Sequence, residues 1–241
     1  MSAASWTGTL FIGVGWAVLD AQLGDNAAHS HLAVQVVLGL DGPVIVATDK
    51  ELVVPKGSAV MIPAGLIHSV GPPGRKARSV YIDPRFYGGG ESYERTWPTI
   101  LDDELSATLR SAVDSNKAKA WARQFTGDTT GSVIDARLKN ALRNKGAVES
   151  PAALARELAL SPSRLREIVK AGFGVPPSKL LQWLQLLASA EALATTDRLC
   201  DAAAAGGFSD QAHFTRRLRQ WFGVTPRAGL LGLEVSIDDL R

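Results

Sequence analysis

The chain has 241 residues, of which 46% are hydrophobic and 21% are charged, with a formal net charge of +2. This composition is typical of folded globular proteins and excludes a disordered or fibrous chain. The longest apolar runs are too short to span a bilayer, and a lone cysteine excludes an internal disulfide framework. We therefore expect a cytoplasmic protein with two modest domains.

Charge is distributed unevenly along the chain. Residues 1–130 carry 11 Lys and Arg against 13 Asp and Glu, a net charge of −2, whereas residues 131–241 carry 15 against 11, a net charge of +4. The second part can therefore bind a polyanion, although a charge of this size also occurs on ordinary solvated surfaces.

The secondary-structure pattern changes from strand to helix. From Leu10 to Ile82, short runs rich in Val and Ile alternate with Gly, Pro and Asp-Gly turns, which predicts strands. After Pro98, Ala, Leu and charged residues recur at helical spacing. We predict an α+β, multidomain architecture: a β-barrel domain at 1–84, a linker and helical connector at 85–131, and an all-α domain at 132–241.

Three of the four histidines lie in the predicted β domain, in two short stretches. His29 and His31 precede Gln35, and on one strand these side chains would share a face. His68 follows a Pro63-x-Gly65 turn. Three imidazoles and an amide oxygen form a candidate site for Zn, Ni, Mn or Fe. Alternatively, the histidines bond to one another, to water or to a small organic molecule without a metal.

The two stretches resemble the two sequence motifs of the cupin superfamily. In these small β-barrels, two histidines and a carboxylate from the first motif and one histidine from the second surround a metal. Gln35 stands where the family has its acidic ligand. Because an amide offsets less cationic charge than a carboxylate does, we expect a lower metal affinity here.

The sequence Phe-Gly-Val-x-Pro occurs twice, at 173–177 and 222–226. With the copies aligned, apolar residues recur at intervals of four ahead of each Gly, which predicts amphipathic helices at 161–173 and 209–222. Shorter helices are predicted ahead of them at 150–160 and 197–208. Two helix-turn-helix units account for this pattern, although two plain helical hairpins have the same periodicity.

The polar faces of the two longer helices favour DNA binding. Gln and Arg can read base edges, and flanking basic side chains can neutralise phosphates. In the first helix the candidates are Ser163, Arg164, Arg166, Glu167 and Lys170, and in the second they are Gln211, Thr215, Arg216, Arg217 and Arg219.

Residues 199–230, LCDAAAAGGFSDQAHFTRRLRQWFGVTPRAGL, resemble the signature of the AraC/XylS family of bacterial transcription regulators. Residues 154–184 are similar to the first helix-turn-helix of that family, and residues 178–196 to its connecting helix. After Pro226 the chain has RAGLLG, where the family usually has an aromatic residue and an arginine, so the resemblance supports no phosphate contact there.

The resemblance implies that both helices enter successive major grooves, about 10 bp apart. It adds Ala212 to the base-contacting residues, which become Ser163, Arg166 and Glu167 in the first helix and Gln211, Ala212, Thr215 and Arg216 in the second. It further implies an activator or repressor that responds to a small molecule or metal through the cupin domain. Its expected partners are double-stranded DNA, a second copy bound through the connector at 99–125 and, for an activator, RNA polymerase.

Two other functions compete with this interpretation. A metal-dependent cupin enzyme with a helical appendage would need an intact metal site with an open coordination position, and Gln35 argues against it. An adaptor would bind a protein partner through the connector. The paired helix-turn-helix pattern favours a regulator without enzymatic activity over both.

Overall fold

The computed structural model describes residues 4–86, 96–112, 117, 120–122, 135–143 and 150–237. Most of the strands lie in the first part of the chain, where Val and Ile alternate with turn residues. They are β1 (Thr7–Gly13), β2 (Trp16–Gln22), β3 (Val34–Gly39), β4 (Val44–Ala47), β5 (Glu51–Val54), β6 (Ala59–Ile62), β7 (Ser69–Gly71), β8 (Lys76–Ile82), β9 (Thr99–Ile100) and β10 (Leu233–Ile237).

The helices follow in the second part. Within the described residues they are α1 (Asp103–Ser111), α2 (Ala136–Arg143), α3 (Pro151–Glu157), α4 (Pro162–Phe173), α5 (Pro177–Ala192), α6 (Leu199–Ala205), α7 (Gln211–Phe222) and α8 (Pro226–Gly229). The β-rich first part and helical second part confirm the predicted fold class. No helix among the described residues is long and apolar enough to cross a membrane.

The strands form two sheets. The larger has the order β10-β1-β2-β8-β3-β6-β9, and the smaller has the order β5-β4-β7. All pairs are antiparallel except β1 with β10, which is parallel. β3 is buried along its whole length, which explains why its residues are apolar on both faces except at Gln35.

The β domain and the helical domain share a hydrophobic core. One cluster joins strand residues such as Val37 and Val60 to helix residues such as Leu165, Trp183 and Phe214. Separate cores were expected for two domains. The shared cluster instead makes the position of the helix-turn-helix units depend on the β domain.

A second core covers a different part of the sheet. It joins Val36 and Val80 to Leu109 in α1 and to Trp121 beyond it. Arg78 fixes α1 in place, because its guanidinium binds both carboxylate oxygens of Asp20 at 2.6 and 2.7 Å and donates to the Leu109 carbonyl at 3.0 Å. The connector is therefore packed against its own chain.

The C-terminal part of the chain returns to the β domain. β10 pairs with β1 from Gly8↔Leu233 to Ile12↔Ile237, and the Trp6 amide donates to the Ala228 carbonyl at 2.8 Å. The predicted helical domain at 132–241 thus ends in a strand of the first sheet. Much of the predicted linker and connector, at 87–95, 113–116, 118–119 and 123–131, lies outside the described residues.

The helix boundaries follow from local capping. Ser150, Ser161 and Asp210 each accept a hydrogen bond from a backbone N–H of the helix that follows, which stabilises α3, α4 and α7. Gly174 and Gly223 end α4 and α7 in the left-handed conformation. The helix predicted at 197–208 is shorter in the structure, since α6 begins after Arg198, without a side-chain cap.

Candidate functional site

The three β-domain histidines meet at one point, although not by the route predicted. His29 and His31 lie ahead of β3 rather than on it, so the period-two argument was wrong. A backbone bridge brings the two stretches together instead, since His29 and His68 exchange N–H···O bonds of 2.9 Å. Gln35, at the start of β3, completes the group.

Each imidazole is oriented by a backbone carbonyl. The Nδ1 atoms of His29, His31 and His68 lie 2.9, 3.0 and 2.9 Å from the carbonyl oxygens of Ala27, Ala33 and Leu66. A carbonyl can only accept, so Nδ1 carries the proton and Nε2 of the neutral ring presents a lone pair. One ring nitrogen from each histidine lies within 4.8 Å of the others.

Gln35 faces two of these lone pairs. Its Oε1 lies 3.1 Å from His31 Nε2 and 3.0 Å from His68 Nε2, while its Nε2 donates to Ser79 Oγ at 3.4 Å and to Tyr81 Oη at 3.2 Å. Three electron-rich atoms thus converge without a proton between them, an arrangement that a cation would stabilise. The opposite amide orientation would satisfy the group without a cation, because NH2 would donate to both imidazoles.

Burial keeps these imidazoles neutral. Desolvation lowers the pKa of His29, lowers that of His31 well below its usual value with help from its two histidine neighbours, and lowers the pKa of His68 to about 4. Neutral imidazole is the form that binds metals. At neutral pH the cluster is therefore in its ligating form.

The end of α7 covers the cluster. The ring of Phe222 stacks on His31, with centroids 5.5 Å apart and planes at 28°, and also contacts Trp183 of α5. The Gly223 carbonyl accepts a hydrogen bond of 2.9 Å from the Ala27 amide. The second Phe-Gly-Val segment therefore lies against the histidines as well as ending a helix.

A cavity of about 140 Å³ extends from the cluster between the β domain and the helices α5 and α7. Most of its lining is apolar, and the apolar side chains come from both domains; they include Leu10, Trp16, Leu19, Trp183, Phe214 and Leu218. His29, Gln35 and Tyr81 line it beside the cluster, and Asp83, Arg85 and Glu191 supply its charges. The cavity thus joins the histidine cluster to the domain interface.

Asp83 and Arg85 connect the end of β8 to two helices. Arg85 binds the Asp83 carboxylate through Nε at 2.9 Å and Nη2 at 3.0 Å, and its Nη1 donates to the Leu142 carbonyl at 2.9 Å. Asp83 also accepts from Trp183 Nε1 at 3.2 Å. Burial alone would lower the pKa of Arg85, but the Asp83 carboxylate outweighs burial and raises it. This group fixes α2 and α5 to the β domain.

The five candidates on the first recognition helix, α4, are all exposed. Leu165, Val169 and Phe173 form its buried face. Arg164 pairs with Glu167 at 2.8 Å, and the Ser163 hydroxyl lies 3.0 Å from that of Ser161. The polar face predicted from the sequence is therefore open to solvent.

The candidates on the second recognition helix, α7, divide into two groups. Gln211, Ala212, Arg216 and Arg219 are exposed, whereas Thr215 and Arg217 are half-buried. Arg217 contacts His213 Nε2 at 3.3 Å and donates to Gln220 Oε1 at 2.9 Å. Arg216 and Arg219 are thus better placed than Arg217 to reach DNA.

Sequence reasoning missed the contacts that join the two regions. Phe222 was predicted as a packing residue of its helix, and Asp83, Arg85 and Ala27 were not singled out. Asp83-Pro84-Arg85, at the end of the last barrel strand, is a weak signal for an ion pair, but nothing in the sequence indicates its partner helices.

Comparisons with known proteins agree with this geometry. Residues 154–229, from α3 to α8, match a helix-turn-helix domain family. An apo variant of ToxT from Vibrio cholerae has the same fold, with a TM-score of 0.61, 13% identity, and 88% of this chain and 96% of that chain covered. Among curated proteins, no sequence matches the chain.

Two further ToxT structures from Vibrio cholerae contain ligands. One is bound to an unsaturated fatty acid, with a TM-score of 0.58, 12% identity and coverage of 88% of this chain and 92% of that chain. The other is bound to (E)-4-(8-methylnaphthalen-1-yl)but-3-enoic acid, with a TM-score of 0.53, 9% identity and coverage of 93% and 96%.

The paired helix-turn-helix units and their exposed basic faces define a DNA-binding transcription regulator. More particularly, residues 154–229 belong to a helix-turn-helix domain family, and together with the N-terminal β domain they have the fold seen in ToxT. The helix-turn-helix units and the two-part fold predicted from the sequence are thereby confirmed.

Proposed function

We propose that this regulator binds DNA under the control of a divalent metal held by His29, His31, His68 and Gln35. The observation that carries the proposal is the convergence of neutral imidazole nitrogens on Gln35 Oε1, with each Nδ1–H held by a carbonyl. Such second bonds to carbonyls are the usual way in which metal-ligating histidines are oriented.

The donor set suits Zn, Ni, Mn or Fe, which accept imidazole and oxygen ligands. All four ligands are neutral, so a bound divalent ion would keep its full charge inside the domain interface. When bound, the metal would fix the positions of its four ligands and add positive charge at the domain interface. The protein's own residues hold the imidazoles, orient the amide and cover the site with Phe222.

Metal analysis of untagged protein from metal-replete medium tests the proposal. We expect about one metal ion per chain, and loss of that metal in the variant His68→Ala. His213→Ala is the matched control, because His213 lies on α7 outside the cluster. A metal content near zero in the wild-type protein, together with no thermal shift on adding Zn, Ni, Mn or Fe salts, would contradict the proposal.

The cavity supports a second candidate, an uncharged organic effector. Among the described lining residues Arg85 is the only Lys or Arg, and its charge is already paired with Asp83, while three of its five N–H donors bind Asp83 and Leu142. Glu191 adds negative charge at the cavity edge, where burial raises its pKa. In the metal-free protein a ligand carboxylate would therefore lose hydration without gaining an unpaired cation.

Matched pairs of an alcohol and a carboxylic acid with the same carbon skeleton test this ligand class. A ligand that binds the folded state raises its melting temperature. We expect the alcohols to raise it and the acids not to do so. A larger shift with the acids would show that this site resembles the carboxylate-binding ToxT structures instead.

We propose no enzymatic activity for the cluster, because Gln35 contacts His31 and the ring of Phe222 stacks on it, where a substrate would have to bind. Since the protein would bind DNA, we propose that it acts in the bacterial cytoplasm. Homodimerisation, and contact with RNA polymerase in an activator, remain part of the proposal. The apolar side of α1 is buried in its own chain, so a dimer through this helix would use its polar side. Light scattering of the purified protein gives its oligomeric state.

A further inference from the structure

We infer that the segment Phe222–Gly223 is the coupling element between the histidine cluster and the second helix-turn-helix unit. The inference rests on the metal site proposed above and assigns its mode of regulation. In this view, metal binding holds the end of α7 against the β domain, and the docked α7 binds DNA more tightly.

The first contact is a close approach between backbones. Gly223 is buried, with a φ of 71°, and a Cβ atom there would lie 2.1 Å from the Ala27 carbonyl oxygen and 2.9 Å from His29 Nδ1. That carbonyl accepts the Nδ1–H of His29 at 2.9 Å. The end of α7 therefore touches the group that orients one of the ligating imidazoles.

The second contact is the ring of Phe222. It stacks on His31 and contacts both Tyr81, at a centroid distance of 6.1 Å, and Trp183, at 5.9 Å. Tyr81 in turn accepts the hydrogen bond that orients the Gln35 amide. Phe222 thus touches one proposed ligand directly and a second through its partner.

These contacts imply reciprocal coupling. A metal that fixes His29 and His31 makes the surface beneath Phe222–Gly223 more rigid, which stabilises the docked position of α7. In that position Gln211, Arg216 and Arg219 remain exposed, so the ordered helix presents its DNA-contacting residues at a lower entropic cost. By linkage, DNA must then tighten metal binding by the same factor.

The two helix-turn-helix units provide a matched control. Gly174 ends α4 with a φ of 69°, almost that of Gly223, but it is exposed. Alanine at either position introduces the same left-handed strain. Only at Gly223 does the new methyl group meet Ala27 and His29.

The experiment measures Zn²⁺ affinity by calorimetry and DNA affinity with Zn²⁺ or with chelator, using the full chain and a site selected from random-sequence DNA. For the wild type we expect Zn²⁺ to tighten DNA binding by about fivefold or more. Gly223→Ala should weaken Zn²⁺ binding by about tenfold, as for partners of metal ligands. It should also reduce the factor by which Zn²⁺ tightens DNA binding towards one. Gly174→Ala should retain the wild-type Zn²⁺ affinity and the wild-type effect of Zn²⁺ on DNA affinity.

Phe222→Leu is the second variant, because it keeps an apolar residue at the helix end while removing the ring that stacks on His31. It should reduce the effect of Zn²⁺ on DNA binding even if Gly223→Ala fails to fold. The inference is overturned if Zn²⁺ binds but leaves wild-type DNA affinity unchanged or weaker, or if both variants keep the wild-type ratio. Absence of Zn²⁺ binding to the wild type would instead overturn the proposed metal site itself, and the inference with it.

Discussion

At the scale of single residues, Arg216 is the best-placed base-contacting side chain of α7, because it is exposed while Arg217 is held by His213 and Gln220. We predict that Arg216→Ala weakens specific DNA binding by roughly 1–3 kcal/mol and relaxes specificity at one base pair. Gel shifts against single-base variants of the selected site measure this.

Arg75→Ala serves as the control for this prediction, because it removes the same charge from the β domain, where Arg75 pairs with Asp41. It should leave DNA affinity unchanged. A uniform loss across all sequences on changing Arg216, with a smaller salt dependence, would identify a phosphate contact instead.

The proposed metal site can be tested at Gln35. Gln35→Glu replaces the neutral amide with a carboxylate, and we predict that it tightens metal binding by about tenfold, the equivalent of about 1.4 kcal/mol. Gln35→Leu should weaken binding instead. Calorimetric titration of both variants compares them, and equal affinities would show that this side chain is not a ligand.

The buried histidines predict a loss of stability in acid. An unfolded chain takes up protons near the usual histidine value of 6.5, whereas burial lowers the pKa of His68 to about 4 and depresses the pKa of His31 as well. Between these values the native state binds fewer protons than the unfolded state, so the free energy of unfolding falls as the pH falls. For His68 alone the full effect is about 3 kcal/mol.

Urea unfolding of the metal-free protein at pH 7, 5.5 and 4.5 measures this loss. The variant His68→Gln should show a shallower dependence on pH than the wild type. The same slope in both proteins would mean that His68 is not the source.

At the scale of elements, the ion pair at the end of β8 connects the sheet to α2 and α5. Asp83→Ala would leave the guanidinium of Arg85 buried without its partner and Trp183 Nε1 without its acceptor. We predict a loss of about 3–5 kcal/mol in the free energy of unfolding. Asp41→Ala, which removes a carboxylate from an exposed pair, should leave the melting temperature almost unchanged. Equal effects of the two substitutions would contradict a buried anchor.

Most elements could be predicted from the sequence, for local reasons. Strand runs, caps and the paired Phe-Gly-Val segments depend on neighbours within a few residues, and Ser161 and Gly223 act where the pattern placed them. β10 was missed although Leu233, Val235 and Ile237 alternate with polar residues, because nothing in this short run indicates its partner β1, more than two hundred residues away. The convergence of the histidines was predicted, but its cause, the bridge between His29 and His68, depends on contacts that periodicity does not describe.

At the scale of the whole molecule, α5 sets the distance between the two recognition helices. It is one continuous helix, and Leu180, Trp183 and Leu186 bury it against its neighbours. We therefore predict that 5 bp inserted between the two half-sites weakens binding by about a hundredfold, to that of a single unit. A 10 bp insertion should not restore it, because a rigid helix cannot lengthen; binding assays on the three DNA spacings test this, and recovery at 10 bp would indicate a flexible connection.

β10 pairs with β1, so the first and last strands of the described residues lie side by side in one sheet. Any signal that separates the DNA-binding units from the β domain through this end must therefore expose the edge of β1, with its unpaired amide and carbonyl groups. Such an edge readily accepts a strand from another molecule. The resting arrangement is thus also a protection against strand exchange, and a regulator opened at this point would be prone to assemble with its own copies.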